Sequence, residues 1–423
     1  MTVASLKAPS KLLWSSSSSP VIAGHRGFKS RFVENSLVGF TKCYDSGATV
    51  IETDLWLSSD NVIVISHDRM TKRVFVDEEG NETNYNISKT PYDPVLKNLK
   101  TKQGGYPLLS FVDLLNWFVA YVERKEGGGE GGEGGEDKLK LQLDIKRFNP
   151  TKITKYIIGD LLKVKDDLCW WYSRVQFGIW DLKFLKYLNQ DEFFQQDIFG
   201  KVDPSGYTQF DIFNISVNWR DSINYINYNY YLDETTSKER KKLKLTGVSL
   251  LYISTWSIDF LTKFVPLLQI QRLKFYSWTV NNKFQFQYLN KIGEKAKLVE
   301  YGIVTDHPDT MVEYKQEILQ NNIEVYSSES NDSELSTEIK PLIDYESNQY
   351  YNEDGELVIE LTVKQMIMCW IYNQIISLNG SNRKIKTESQ RFAARVDENK
   401  IDEVKINPIF AWCFQTCQKY GIF

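Results

Sequence analysis

The sequence predicts an α/β fold, a TIM (β/α)8 barrel over residues 20–325, with surface insertions and a C-terminal amphipathic, hydrophobic tail. Eight short runs rich in β-branched and aromatic residues recur at long intervals, and most of the gaps between them hold a helix-length apolar pattern. The chain has 423 residues, 42% of them apolar, more than the roughly 250 that one such barrel occupies. One barrel domain with additions is therefore expected, not two equal domains.

Residues 1–19 contain Lys7, Lys11 and a serine run over 15–19, with no acidic residue and no apolar secretory core. A disordered extension is expected there, with a mitochondrial-type presequence as the alternative. Strands are predicted at 21–25, 50–55, 139–145, 174–180, 211–217, 247–253, 273–280 and 302–305, and helices at 36–45, 111–122, 152–162 and 258–268. One apolar run, 62–66, follows the second strand after only Ser58-Ser59-Asp60-Asn61, whereas a parallel crossover needs about a dozen residues or more. It must be an antiparallel hairpin, carrying His67 back towards the barrel mouth. The glycine and glutamate tract within 126–137 reads as a flexible loop, 218–244 as a polar insertion, and 326–355 as an acidic linker. The remainder, 356–423, is expected to associate with membranes.

The 51 basic and 55 acidic residues leave a net charge of −4, and no basic stretch is interleaved with aromatics. Nucleic acid is excluded as a partner, and no obligate protein partner is inferred. Five cysteines, Cys43, Cys169, Cys369, Cys413 and Cys417, form no Cys-x-x-Cys pair, which argues against a disulfide framework or zinc site.

Two of the three histidines close apolar strands, in Ala23-Gly24-His25-Arg26-Gly27 and Ile65-Ser66-His67-Asp68. A strand's C-terminal end opens into a barrel's mouth, and imidazole is suited to moving protons near neutral pH, so His25 and His67 are candidate acid–base residues. In Ile51-Glu52-Thr53-Asp54-Leu55 a period of two puts Glu52 and Asp54 on one face. Like charges so placed repel, and a divalent cation relieves the cost; carboxylate oxygens suit magnesium, calcium or manganese. Leu141-Gln142-Leu143-Asp144-Ile145-Lys146 adds Asp144 as a third ligand and Lys146 as a phosphate contact, against the alternative of a structural ion pair. Arg26 offers a fork that fits phosphate. Asn35 is either a helix N-cap or a substrate contact, and Trp278 either a pocket wall or packing. Asp306 reads as a turn or helix cap, and His307 as structural.

These motifs resemble the glycerophosphodiester phosphodiesterase family: His-Arg-Gly after strand one, then Glu-Asn, a Glu-x-Asp pair, His-Asp after a hairpin, an acid-x-Lys strand, Trp-Thr-Val-Asn, and Thr-Asp-x-Pro. Order and spacing hold from Val21 to Met311. Many members have Glu where this chain has Asp144, which shortens the ligand arm without changing its charge. Phe28-Lys29, Leu-Asp-Ile-Lys and Phe177-Gly178-Ile179-Trp180 look most like the fungal phosphatidylglycerol phospholipase C branch. The resemblance implies a barrel of the PLC-like phosphodiesterase type in which Glu52, Asp54 and Asp144 hold one divalent cation, Mg2+ or Ca2+, with Mn2+ a third candidate. It also implies that His25 and His67 exchange proton-transfer roles through a cyclic glycerol phosphate, while Arg26 and Lys146 bind phosphate. The substrate would be a phospholipid or glycerophosphodiester.

In the tail, 357–378 is mostly apolar, but Glu360 and Lys364 interrupt it, at a cost of about 2.5–3.5 kcal/mol for a charge at a bilayer's centre. Phe410, Trp412, Phe414, Tyr420 and Phe423 follow, a density suited to a chain lying in the membrane interface. The expectation is a monotopic segment on a cytosol-facing intracellular membrane, that of a mitochondrion, the endoplasmic reticulum or a lipid droplet. A spanning segment and simple packing on the barrel remain the alternatives.

Overall fold

A computed structural model describes residues 19–127, 138–198, 209–236, 240–329, 359–377 and 388–401, together with 408, 409, 412 and 416. The extension 1–18, the glycine and glutamate tract 128–137, the linker 330–358 and most of the aromatic C-terminus lie outside the described residues.

The strands are β1 (Val21–His25), β2 (Val50–Leu57), β3 (Ile63–Ile65), β4 (Phe75–Val76), β5 (Lys100–Thr101), β6 (Lys140–Ile145), β7 (Val175–Ile179), β8 (Asp211–Ser216), β9 (Gly247–Leu251), β10 (Lys274–Trp278) and β11 (Tyr301–Thr305). The helices are α1 (Leu37–Asp45), α2 (Phe111–Gly127), α3 (Ile153–Val164), α4 (Leu168–Tyr172), α5 (Leu182–Gln190), α6 (Trp219–Thr235), α7 (Val265–Gln271), α8 (Lys283–Lys295), α9 (Pro308–Glu329), α10 (Val363–Ser377) and α11 (Glu388–Ala393). Eight parallel strands run β1-β11-β10-β9-β8-β7-β6-β2, and β2 pairs back to β1, closing the barrel. All eight predicted strands are present within a few residues of their expected ends.

The hairpin also forms. Leu55, Trp56 and Leu57 pair antiparallel with Ile65, Val64 and Ile63, so β2 rises above its parallel neighbours before the chain folds back. Ser66 N–H donates to Asp54 O at 3.0 Å, which fixes the residue before His67 against the carboxylate strand. The long excursion after it has its own small core of Trp56, Val64, Phe75, Ile87, Leu96, Leu99 and Leu108.

Two sequence expectations are corrected. The stretch 218–244, read as a polar insertion, contains the crossover helix α6, whose face with Trp219, Tyr225, Ile226, Tyr228 and Leu232 is buried. Its buried Asn229 is tolerated because it both donates to Leu245 O and accepts from Leu245 N–H. The barrel domain also runs past 325, since α9 continues to Glu329. In the tail, Cys369, Tyr372 and Phe392 join the main core. Among the described residues no helix is long and apolar enough to cross a membrane.

Candidate active site

Strand register sets the layout. Asp54 pairs with Asp144 across β2 and β6, while Glu52, two residues lower on the same face, pairs with Gln142 on one side and His25 on the other. The inward choice is strict, because a one-residue slip of β2 would turn Glu52 and Asp54 outward and bring Ile51, Thr53 and Leu55 into the lumen. Glu52, Asp54 and Asp144 are all buried, and each offers an oxygen within 4.8 Å of the others.

Past His25 the chain turns through two left-handed residues, Arg26 (φ 54°) and Gly27 (φ 84°). A non-glycine residue there is strained by about 1 kcal/mol. The turn aims the Arg26 amide at Glu52 Oε2, 2.9 Å away. A Cβ on Gly27 would meet Phe40 Cδ1 at 2.9 Å, so this position excludes larger residues on both grounds. Arg26 Nε stands 3.6 Å from Asp54 Oδ2 and makes no hydrogen bond, while Asp54 Oδ1 faces the Lys146 ammonium at 2.5 Å. A buried guanidinium nitrogen without a partner is what a phosphate oxygen would satisfy.

Electrostatics support the same fit. Burial raises Glu52 well above the usual carboxylate range, and Asp54 and Asp144 push it further. Burial also raises Asp144, with Asp54 adding to it against Lys146. For Asp54 burial is outweighed by Lys146, His67, Arg26 and the Asn35 hydrogen bond, so its carboxyl lies below the ordinary value. A site that holds three carboxyl groups this close while one stays ionised suits a hard divalent cation bound by oxygens.

Each histidine is oriented by a carboxylate. His25 Nδ1 lies 2.6 Å from Asp306 Oδ1, and His67 Nδ1 lies 2.8 Å from Asp68 Oδ1. Burial tends to raise both carboxyls, but the histidines, Lys29 at Asp306 and Arg73 at Asp68 outweigh it and keep them ionised. An ionised carboxylate only accepts, so each Nδ1 donates and each Nε2 is left for chemistry. Burial, then the Arg26 charge, lowers His25 to about 4 despite Asp306. It is neutral at physiological pH.

Most of the predicted residues converge. His25, Arg26, Glu52, Asp54, His67, Asp144, Lys146 and Trp278 all line one cavity of about 880 Å³ at the barrel mouth. Asn35 does not. Ser36 is the N-cap of α1, and Asn35, itself left-handed (φ 56°), donates to Asp54 Oδ2 at 2.8 Å and accepts from Thr53 Oγ1 at 2.9 Å. It stands behind the carboxylate as a brace, which corrects its placement in the substrate pocket. Lys146 lines the cavity, but its ammonium lies 2.5 Å from Asp54 Oδ1 and 2.6 Å from Asp144 Oδ2, so it neutralises the acids. Trp278 packs its ring against Trp180 at 5.8 Å and donates Nε1–H to Ser249 O.

Sequence reasoning missed Asp306 and Asp68 as partners of the histidines, and Trp180, whose Nε1–H donates to Asp144 Oδ1 at 2.7 Å. Asp306 and Trp180 each follow directly on a barrel strand, and that position was a usable signal. Asn281 secures Asp306 by donating to its Oδ2 and accepting from its amide.

Residues 25–128 match the model of the Glycerophosphoryl diester phosphodiesterase family. The chain is 33% identical over 104 residues to the uncharacterized protein YqiK of Bacillus subtilis, a match covering 23% of this chain and 40% of that protein. It is 43% identical over 54 residues to the human glycerophosphoinositol inositolphosphodiesterase, covering 13% of this chain and 10% of that protein. The chain thus spans less than half the length of either. Among solved structures, a glycerophosphodiester phosphodiesterase from Parabacteroides distasonis superposes with a TM-score of 0.47 at 17% identity, covering 72% of this chain and 98% of that one.

Proposed function

We propose that this chain is a metal-dependent phosphodiesterase that hydrolyses phosphatidylglycerol to diacylglycerol and glycerol 3-phosphate. The observation that carries the phosphodiesterase reading is the pair of carboxylate-oriented histidines opening into the same cavity as the acid triad. A magnesium or calcium ion held by Glu52, Asp54 and Asp144, with manganese as a third candidate, would neutralise a phosphate oxygen and help ionise an attacking hydroxyl.

Neutral His25 Nε2 accepts the proton of the head-group 2-hydroxyl as its oxygen bonds to phosphorus. The bond from phosphorus to the diacylglycerol oxygen breaks, and His67 delivers a proton to that oxygen. The glycerol phosphate left behind is cyclic. In the second half a water oxygen bonds to phosphorus, His67 takes its proton, the ring oxygen leaves and His25 returns the proton it holds. Arg26 spreads the charge on phosphate, its backbone fixed by Glu52.

A lipid substrate is favoured by α10. The helix packs on the turn Tyr252–Thr255, whose Tyr252 lines the cavity, and Tyr372 Oη donates to the carbonyl of Val217, also a lining residue. Beside the mouth it leaves Val363, Ile367, Trp370 and Ile371 between 43% and 67% exposed. An apolar helix face turned to solvent suits a membrane interface, which would place the enzyme on a cytosol-facing surface of a mitochondrion, the endoplasmic reticulum or a lipid droplet.

The test offers purified protein with magnesium or calcium either phosphatidylglycerol vesicles or glycerophosphocholine, followed by product identification. Diacylglycerol from the vesicles is expected. Cleavage of the soluble diester alone would overturn the lipid reading, and metal binding without turnover of either would leave a phosphate-binding barrel.

A further inference from the structure

His67 belongs to no barrel strand, and its side chain is 37% exposed. Its partner Asp68 is in the same loop, so a single bond between neighbours does not fix it to the barrel. Trp56 Nε1 and Ser66 Oγ hold the carbonyls of His67 and Asp68, but what holds the two side chains is an ionic chain. Asp68 Oδ1 is taken by His67, and Oδ2 accepts from Arg73 Nε at 2.5 Å. The other edge of the Arg73 guanidinium grips Glu34 with two bonds, Nη1 to Oε2 at 2.9 Å and Nη2 to Oε1 at 2.6 Å. Glu34 also accepts from Arg26 Nη1, but at the longer distances of 3.3 and 3.4 Å.

Arg73 therefore joins the loop that carries one histidine to the loop that follows the other. Its own position is well braced. Thr71, two residues earlier and fully buried, bonds Thr83 Oγ1 at 2.9 Å and exchanges backbone and side-chain hydrogen bonds with Tyr85. The small core of Phe75, Ile87, Leu96 and Leu99 lies within the same excursion.

We infer that Arg73 is a positioning residue, which fixes the Asp68–His67 pair in working orientation and, by taking the closer bonds to Glu34, keeps the Arg26 guanidinium available for phosphate. Only guanidinium can do this. One edge must face Asp68 while the other meets both oxygens of Glu34, and an ammonium offers no such planar fork. The inference rests on the phosphodiesterase reading for its kinetic consequence alone.

Two variants test it, Arg73→Met and Arg73→Lys; the second keeps the charge, so that a folding failure of the first does not decide the matter. With only three histidines in the chain, 15N-labelled imidazoles report His67 Nδ1 directly. In both variants its hydrogen-bonded Nδ1 proton signal should be lost or mixed with the other tautomer while the His25 signal stays. On phosphatidylglycerol vesicles kcat should fall about 10- to 100-fold with thermal stability near wild type, as for other orienting partners. An unchanged His67 signal in both variants overturns the proposal whatever the rates do. Absence of turnover in the wild-type protein counts against the phosphodiesterase reading alone, and the His67 signal still decides the role of Arg73.

Discussion

Asp306 lies 281 residues from His25 in sequence and yet sets its tautomer and orientation. Asp306→Asn keeps the shape but removes the charge that requires Nδ1 to donate, so kcat is expected to drop by at least about 100-fold at nearly unchanged Tm. A loss below tenfold would refute the orienting role. A base works unprotonated, and burial puts His25 at about 4. The His25 limb of kcat/KM should therefore rise as pH climbs through about 4 and be flat up to neutrality, whereas a limb at the ordinary 6.5 would contradict the desolvated site. Lys146 belongs to the same electrostatic unit. Burial would lower its ammonium, but Asp144, Asp54 and Glu52 raise it above the ordinary value. Lys146→Met should lower Tm in EDTA and enlarge the rise in Tm that calcium or magnesium produces, since the metal then replaces the ammonium as the cation nearest the three acids, with Arg26 farther off at 3.6 Å. Equal metal-induced shifts in variant and wild type would show that Lys146 does not neutralise the triad.

At the level of elements, α1 is pressed so closely beneath the turn after β1 that a Cβ on Gly24 would lie 2.2 Å from Cys43 Sγ and 2.5 Å from Gly27 O. Gly24→Ala should cost about 1–3 kcal/mol in chemical denaturation, and Cys43→Ala should restore only part of it because the backbone clash remains. Full rescue would mean that the thiol alone sets the spacing. For α10, Ile367→Ser with Trp370→Ser removes exposed apolar area without touching Cys369 or Tyr372, which are buried. Flotation with phosphatidylglycerol liposomes should fall sharply while Tm stays, and undiminished flotation would remove α10 from the membrane surface. Truncating the chain before α10 is the poorer experiment, because it would strip Cys369, Tyr372 and Phe392 from the core.

Across the whole molecule, the end of the barrel opposite the mouth is closed by charge. Lys274, at the start of β10, lies 2.7 Å from Asp211 and 3.2 Å from Glu300, and Tyr276 Oη donates to Glu300 at 2.8 Å. Burial would lower Lys274, but these two acids raise it above its ordinary value. Lys274→Met would remove the ammonium from Asp211 and leave Glu300 only Lys140, at 3.6 Å, as a cation. With side chains still 17% to 22% exposed, the cost should be about 2 kcal/mol, less than a fully buried pair, and readable as a lower denaturant midpoint at unchanged m. A neutral result would mean that water solvates this end.

Much of the barrel was legible in the sequence because it rests on local periodicity. Alternation along 50–57 put Glu52 and Asp54 on one face, and the five residues between β2 and β3 allowed only a hairpin, so both held when the chain closed. The metal-ligand candidates and both histidines were accessible for the same reason. Other features depend on what lies opposite in space. The Asn- and Tyr-rich stretch of α6 looks like an insertion until Leu245 is seen to satisfy Asn229, and Asn35 looks like a cap or a ligand contact until Asp54 and Thr53 occupy it. The fold class and the candidate residues of the site were thus legible in the sequence alone, through spacing that repeats within each strand. Which carboxylate holds which histidine, and where Lys146 spends its charge, only the closed barrel decided, because hydrogen bonds and Coulomb forces act over ångströms in space and take no account of separation along the chain.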